Sequence, residues 1–224
     1  MKLSFHTKLL SLILINIAIL VYAVIVDFSW DKFLVGFVIA KIFAILGSES
    51  ALHRLWAHRS YRIARWKEYI LHIFAIPLLH GSSITYSGIH RQHHAYSDTP
   101  KDPHMGSSPW YKVLFFKMPN GFQIESKFVA DLLKQPIHKW VHKYYFKINL
   151  SILVLCLIIL GTVWTGFTLS FMIAWNFIGA GLTNILGHIP KYGKQPYNNG
   201  DNSTNNLFVQ SYSWNEGLHN NHHK

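Results

Sequence analysis

A single cysteine, Cys156, stands among 224 residues, so the chain has neither an intrachain disulfide nor a Cys-x-x-Cys zinc or redox motif, and a small disulfide-stapled secreted scaffold is excluded. Acidic residues are scarce as well: 10 Asp plus Glu face 21 Lys plus Arg, for a formal charge of +11. The carboxylate-bridged di-iron pattern needs a pair of Glu-x-x-His motifs, and no such pair exists here. The positive excess points to anionic phosphates, on lipid headgroups, nucleotide-bearing substrates or nucleic acid. Repeats and low-complexity tracts are missing. What is abundant is apolar: 50% hydrophobic and 15% aromatic residues with only 14% charged, which excludes intrinsic disorder and favours a membrane protein.

Leu9 to Val26 is an uncharged run of 18 residues. As a helix at about 1.5 Å per residue it reaches roughly 27 Å, near the hydrocarbon thickness of a bilayer. Further runs cover residues 33–52, 148–164 and 167–187, the last two separated by a tight turn at Thr165 and Gly166. Lys41 inside the second run reads as a snorkelling or interior-facing side chain. Tyr69 to Leu79, 11 residues interrupted by His72 and Pro77, is too short to cross and suits a buried or interfacial helix. The expected fold is all-α: a single domain over residues 1–224, with four transmembrane helices in two hairpins and a helical cap, residues 53–147 and 188–224, carrying a His-rich dimetal site. Fourteen of the 21 basic residues lie in 53–147, so the positive-inside rule places both termini and the cap in the cytoplasm. The Asn-rich stretch Asn198 to Asn206 reads as a surface loop.

Fifteen histidines are present, and eight of them fall in three windows: His53-x4-His58, His90-x2-His93-His94 and His219-x2-His222-His223. On an α-helix, positions i, i+3 and i+4 share a face, so each His-x-x-His-His aims its imidazoles at a common point. The five-residue gap of the first window splays its pair by about 140°, enough to serve two metals. Imidazole suits zinc, copper, iron and nickel alike. Eight donors are about one site too many for a single zinc, so a dinuclear, histidine-rich centre is expected.

At these residues the chain resembles the integral-membrane fatty acid desaturases, most closely their stearoyl-CoA (delta-9 acyl) desaturase-like branch, over roughly residues 30–224. The resemblance is carried by HRLWAHRSY, HRQHHAYSDTPKDPH, HKYY, NILGH, YGKQPY and NEGLHNNHH. Asn184-x3-His188 matches an element in which the family's histidine is a ninth ligand and its asparagine reaches a metal through water. The resemblance implies two irons held by His53, His58, His90, His93, His94, His188, His219, His222 and His223. It also implies O2 as co-substrate, electrons from an external donor such as ferredoxin or cytochrome b5, and a narrow tunnel for a fatty acyl chain carried on CoA, a lipid or acyl carrier protein. Tyr86 stands where the family commonly has Trp, and Ala180 and Gly181 stand where it has a Thr-Trp pair, so these three mark an altered tunnel kink. The chain stops one residue after His223, where family members run on for tens of residues, and so reads as C-terminally truncated.

Asp98, Asp102, Glu49 and Glu216 lie beside the boxes as candidates to orient imidazoles, with His104 in the same role. His138 and His142, flanked by lysines and aromatics, read as part of an interfacial helix rather than a metal site. The basic, aromatic stretch Lys112 to Lys147 suits a membrane surface or an acyl carrier's phosphates. No nucleic-acid module is recognisable, so no nucleic-acid partner is expected. The function expected is insertion of a cis double bond into a long saturated acyl chain. The rivals are a His-box membrane hydroxylase or ketolase and a metal-binding transport or sensor protein without turnover.

Overall fold

The computed structural model describes residues 4–104, 109–119, 121–213 and 216–224. Nine α-helices are described: α1 (Phe5–Asp27), α2 (Trp30–Phe43), α3 (Arg65–Ala75), α4 (Ser83–Tyr96), α5 (Trp110–Leu114), α6 (Pro136–Thr165), α7 (Phe171–Leu186), α8 (Leu207–Ser213) and α9 (His219–His222). Two π-helical segments continue them, Ala44–Ala57 after α2 and Gly166–Ser170 between α6 and α7. The only β-type pairing among the described residues is isolated, Lys194 with Asn205 and Asn205 with Leu218. Three helical runs are long and apolar enough to cross a membrane, Phe5–Asp27, Trp30–Ala57 and Pro136–Leu186. Their outward faces keep large apolar side chains exposed, as at Ile25 (77%) and Ile158 (75%), a pattern that suits a lipid solvent.

The third run holds two of the expected spans. Its chain breaks at Gly161, where φ of 71° and ψ of 173° leave helical space, a conformation that favours glycine. Beyond that point the chain runs back along α1: Gly166 meets Ala23, so closely that an added Cβ would stand 2.3 Å from the alanine methyl, and Ser170 Oγ donates to Asn16 Oδ1 at 2.9 Å. The turn expected at Thr165 and Gly166 therefore sits earlier. Gly166 is there for close helix packing, a use of small residues common between helices in lipid.

The chain forms two compact units. Unit 1 comprises Met1–His90 and Glu125–Phe177, and unit 2 comprises Arg91–Ile124 and Ile178–Lys224. Unit 1 packs the long apolar helices. Ile13, Leu52, Trp56, Val141, Tyr145 and Phe167 are among its buried residues, and polar ties are satisfied locally, as where Asn176 Nδ2 donates to Ala40 O at 3.3 Å and Met172 O at 2.9 Å. Lys41 faces inward over the rings of Phe37 and Trp175, 5.5 and 5.3 Å from their centroids. On α3 the side chains of Trp66, Tyr69, Ile70 and Ile73 are exposed while His72 and Ala75 are buried, as a short interfacial helix requires.

Unit 2 is built differently, around loop and short-helix segments tied by amide side chains. Asn220 is fully buried. Its Oδ1 accepts from Tyr197 N at 2.8 Å and its Nδ2 donates to Tyr197 O at 3.1 Å, while Asn205 Oδ1 accepts from Asn220 N at 3.0 Å. Asn206 Nδ2 donates to Tyr192 O at 2.7 Å, and its Oδ1 accepts from Val209 N in the first turn of α8. The Asn-rich segment expected to be a surface loop is thus partly a scaffold, its amides adding to the backbone bonds that Thr204, Asn205 and Asn206 make with Gly187, Lys194 and Gly217.

Candidate metal centre

In unit 1 the first histidine window lies in the π-helical segment Ala44–Ala57, and its last link is the backbone bond from His58 N to His53 O at 2.9 Å. Bonding from i to i+5 stacks residues five apart on successive turns. The pair does not splay as an α-helix would make it. Instead the rings of His53 and His58 lie 4.7 Å apart. Arg59, at φ 55°, ends the segment. From α4, His90 brings its ring within 4.7 Å of His53 and 4.8 Å of His58, and the Nε2 atoms of His58 and His90 face each other at 2.7 Å. Glu49 lies 3.7 Å from His53 Nδ1. Tyr86, one turn before His90, stacks on it with ring centroids 5.6 Å apart and on His80 at 6.5 Å.

Unit 2 gathers His93, His188, His219 and His223, whose ligand nitrogens all lie within 4.8 Å of one another. Nε2 of His188 faces that of His93 at 3.2 Å and that of His219 at 2.9 Å. His94 and His222 form a neighbouring pair, Nε2 to Nε2 at 2.9 Å. The common aim expected of each His-x-x-His-His is therefore divided: His90 belongs to the unit 1 triad, and His93 and His94 point to different partners in unit 2. Three aspartates stand behind the rings. Asp102 accepts from His93 Nδ1 at 2.8 Å, Asp98 lies 3.2 Å from His188 Nδ1, and Asp201 accepts from His223 Nδ1 at 2.8 Å. Burial pushes Asp98, Asp102 and Asp201 upward, but hydrogen bonds from these imidazoles and from backbone N–H groups win and hold all three below the usual carboxylate range. Burial also pushes His219 and His223 down, which keeps both neutral and so able to donate a lone pair.

Asp201 was not among the candidates from sequence. It lies 22 residues from His223, outside every window, and its only local signal was membership of the polar run after YGKQPY. Glu216 is described, whereas Asn215 of the NEGLHNNHH motif lies outside the described residues. Asn184 occupies the last turn of α7, and His188 follows the helix end. Gly181 leaves no open space: a Cβ there would meet Leu114 Cδ1 at 2.4 Å. His138 is buried inside unit 1 with its Nδ1 2.8 Å from Ser83 Oγ, whereas His142 is exposed and has its Nδ1 2.8 Å from Ser82 Oγ.

Imidazoles that give one ring nitrogen to a carboxylate and turn the other inward are oriented as metal ligands are. The buried Nε2 of His223 and Nδ1 of His219 have no hydrogen-bond partner among the described residues. A donor set of this kind fits iron as it fits zinc or copper. The class so defined is an all-α chain with membrane-length helices and two histidine groups of metal-ligand character.

The chain belongs to the fatty acid desaturase family, whose model matches residues 28–224. It is 32% identical over 201 residues to an sn-1 stearoyl-lipid 9-desaturase from Anabaena variabilis, covering 88% of this chain and 73% of that one. It is 31% identical over 210 residues to an acyl-CoA C20 Delta5-desaturase from Anemone leveillei, covering 88% and 64%. With an sn-2 palmitoyl-lipid 9-desaturase from Nostoc sp. (strain 36) it shares 28% identity over 205 residues, covering 88% and 70%. The chain thus spans between about two thirds and three quarters of the length of these relatives.

Proposed function

We infer that the protein is a membrane fatty acyl desaturase that uses O2 and two electrons to insert a cis double bond, at the delta-9 position, into a long saturated acyl chain. The observation that carries this reading is the pair of histidine groups, backed by aspartates in unit 2, in a chain of the desaturase family. Two of the relatives compared are named as 9-desaturases acting on lipid-linked stearoyl or palmitoyl chains. Saturated C16 and C18 chains are accordingly the proposed substrates, on a lipid, CoA or acyl carrier protein.

The nine histidines form the proposed ligand set for two irons, with His53, His58 and His90 serving one, His93, His188, His219 and His223 serving the other, and His94 and His222 completing it. Asn184 is proposed to reach a metal through water. When bound, the two irons supply activation of O2 for removal of hydrogen from an unactivated C–H bond. The chain's own share is to orient the imidazoles, keep them neutral and hold the acyl chain in register away from water. Tyr86, stacked on His90, is proposed to line the path of that chain.

The reversal at Gly161 supports four membrane crossings, and the basic residues in 53–147 support cytoplasmic termini, a cytoplasmic cap and a cytoplasmic centre. Both units are read as parts of one desaturase domain that draws electrons from a separate donor such as ferredoxin or cytochrome b5. The test is expression in a desaturase-deficient host followed by gas chromatography with double-bond localisation. Cis-monounsaturated C16 and C18 acids are expected. Hydroxy acids as the dominant product would overturn the reading in favour of a hydroxylase.

A further inference from the structure

A buried polar cluster in unit 1 lies apart from the triad yet joins the segments that carry it. Trp56, between His53 and His58 in the chain, is 2% exposed and donates its indole N–H to Glu68 Oε1 at 2.9 Å. The same oxygen lies 3.3 Å from Nε2 of His138, whose side chain is wholly buried while that of Glu68 is 12% exposed. The other nitrogen of His138 pairs with Ser83 Oγ at 2.8 Å, and Ser83 is the first residue of α4, the helix that bears His90. His72 stacks on the Trp56 indole, ring centroids 4.3 Å apart at 26°, and closes the cluster from α3. One carboxylate therefore ties α3, the π-helical segment and α6 together, with α4 reached through His138. The neighbouring His138 and the Trp56 N–H hold Glu68 below the usual carboxylate range against its burial, and the carboxylate accepts from the indole N–H while the His138 ring lies against it.

We propose that Glu68 is a positioning residue for the metal triad His53, His58 and His90, fixing the π-helical segment against the start of α4 through Trp56 and through His138 with Ser83. The proposal rests on the reading of those three histidines as metal ligands. It separates the role of Glu68 from ordinary core packing, because its loss acts on one metal and spares the other. Partners that orient ligating imidazoles typically contribute about 10- to 100-fold in metal affinity, and Glu68, acting one residue further away through Trp56, is placed at the lower end of that range.

The experiment is anaerobic titration of metal-free, detergent-purified full chain with Co(II), followed by the visible absorption of the bound metal, in two backgrounds. His188→Ala leaves the unit 1 triad as the intact group, and His58→Ala leaves the unit 2 group. Glu68→Leu is expected to raise the Kd about tenfold in the first background and to leave it unchanged in the second. Glu68→Gln keeps an oxygen for the indole N–H and should recover most of the affinity. Trp56→Phe, which deletes only the N–H and the second ring, should weaken the same metal. If Glu68→Leu does not fold, Trp56→Phe and Glu68→Gln decide alone. An unchanged Kd in the first background, or equal weakening in both, overturns the proposal. Failure of the parent chain to bind two equivalents overturns the underlying reading of the ligands instead.

Discussion

In unit 2 the imidazoles of His93, His188 and His223 each turn Nδ1 toward an aspartate, Asp102, Asp98 and Asp201, and α9, which carries His219, is anchored by the amides of Asn205 and Asn220. In unit 1 the rings of His53 and His58 are brought together by backbone winding, the i to i+5 bond from His58 N to His53 O, with His90 supplied by α4. Side-chain partners thus set imidazole geometry in one region, and helix pitch sets it in the other. Substitution of a partner should therefore act locally on unit 2, whereas unit 1 should respond to whatever disturbs the packing of the π-helical segment.

The largest expected effect lies at the rings themselves. His188 faces both His93 and His219, so His188→Ala should abolish desaturation and empty the unit 2 group while leaving metal in unit 1, as judged by product analysis and metal content. Next come the aspartates. Asp102→Asn and Asp201→Asn each replace a carboxylate behind a ring and should weaken metal binding in unit 2 by about 10- to 100-fold, measured by competition with a chelator. Either variant binding as tightly as the parent chain would break the contrast drawn between the units.

Two packing tests follow, both read in melting temperature. At Gly47, inside the π-helical segment, an added Cβ would stand 2.3 Å from Phe74 O and 2.6 Å from its carbonyl carbon. Backbone cannot swing aside, so Gly47→Ala should destabilise by about 1–3 kcal/mol and weaken metal in unit 1. At Gly181 the obstacle is the tip of Leu114, which can rotate, so Gly181→Ala should cost less than about 1 kcal/mol and leave both metals in place. Equal losses at the two positions would remove the distinction between backbone and side-chain control.

Much of this was legible in the chain's letters. The apolar runs announce membrane-length helices, and the spacing of His53 and His58, His90 to His94 and His219 to His223 announces histidines that gather into groups able to hold a metal. What stayed hidden depended on pitch and on distance along the chain. Periodicity arguments assume 3.6 residues per turn, so the π-helical segment that unites His53 with His58 could not be foreseen, nor could the division of His90 from its neighbours on α4. Asp201 acts across a span that no local motif covers. Thr165 and Gly166 look like a turn, yet Gly166 serves contact with Ala23 and the reversal is left to Gly161, a choice made by tertiary packing. His138, among lysines and aromatics, looked interfacial because sequence does not show that Glu68 and Ser83 await it inside.

The most direct test of the central claim, one metal held by each histidine group, is elemental analysis of iron-loaded, purified protein for the parent chain and for His58→Ala and His188→Ala. About two irons per parent chain and about one in each variant are predicted, since seven or more imidazole donors exceed what one metal takes. A single iron in the parent chain, or loss of both from either variant, would contradict it.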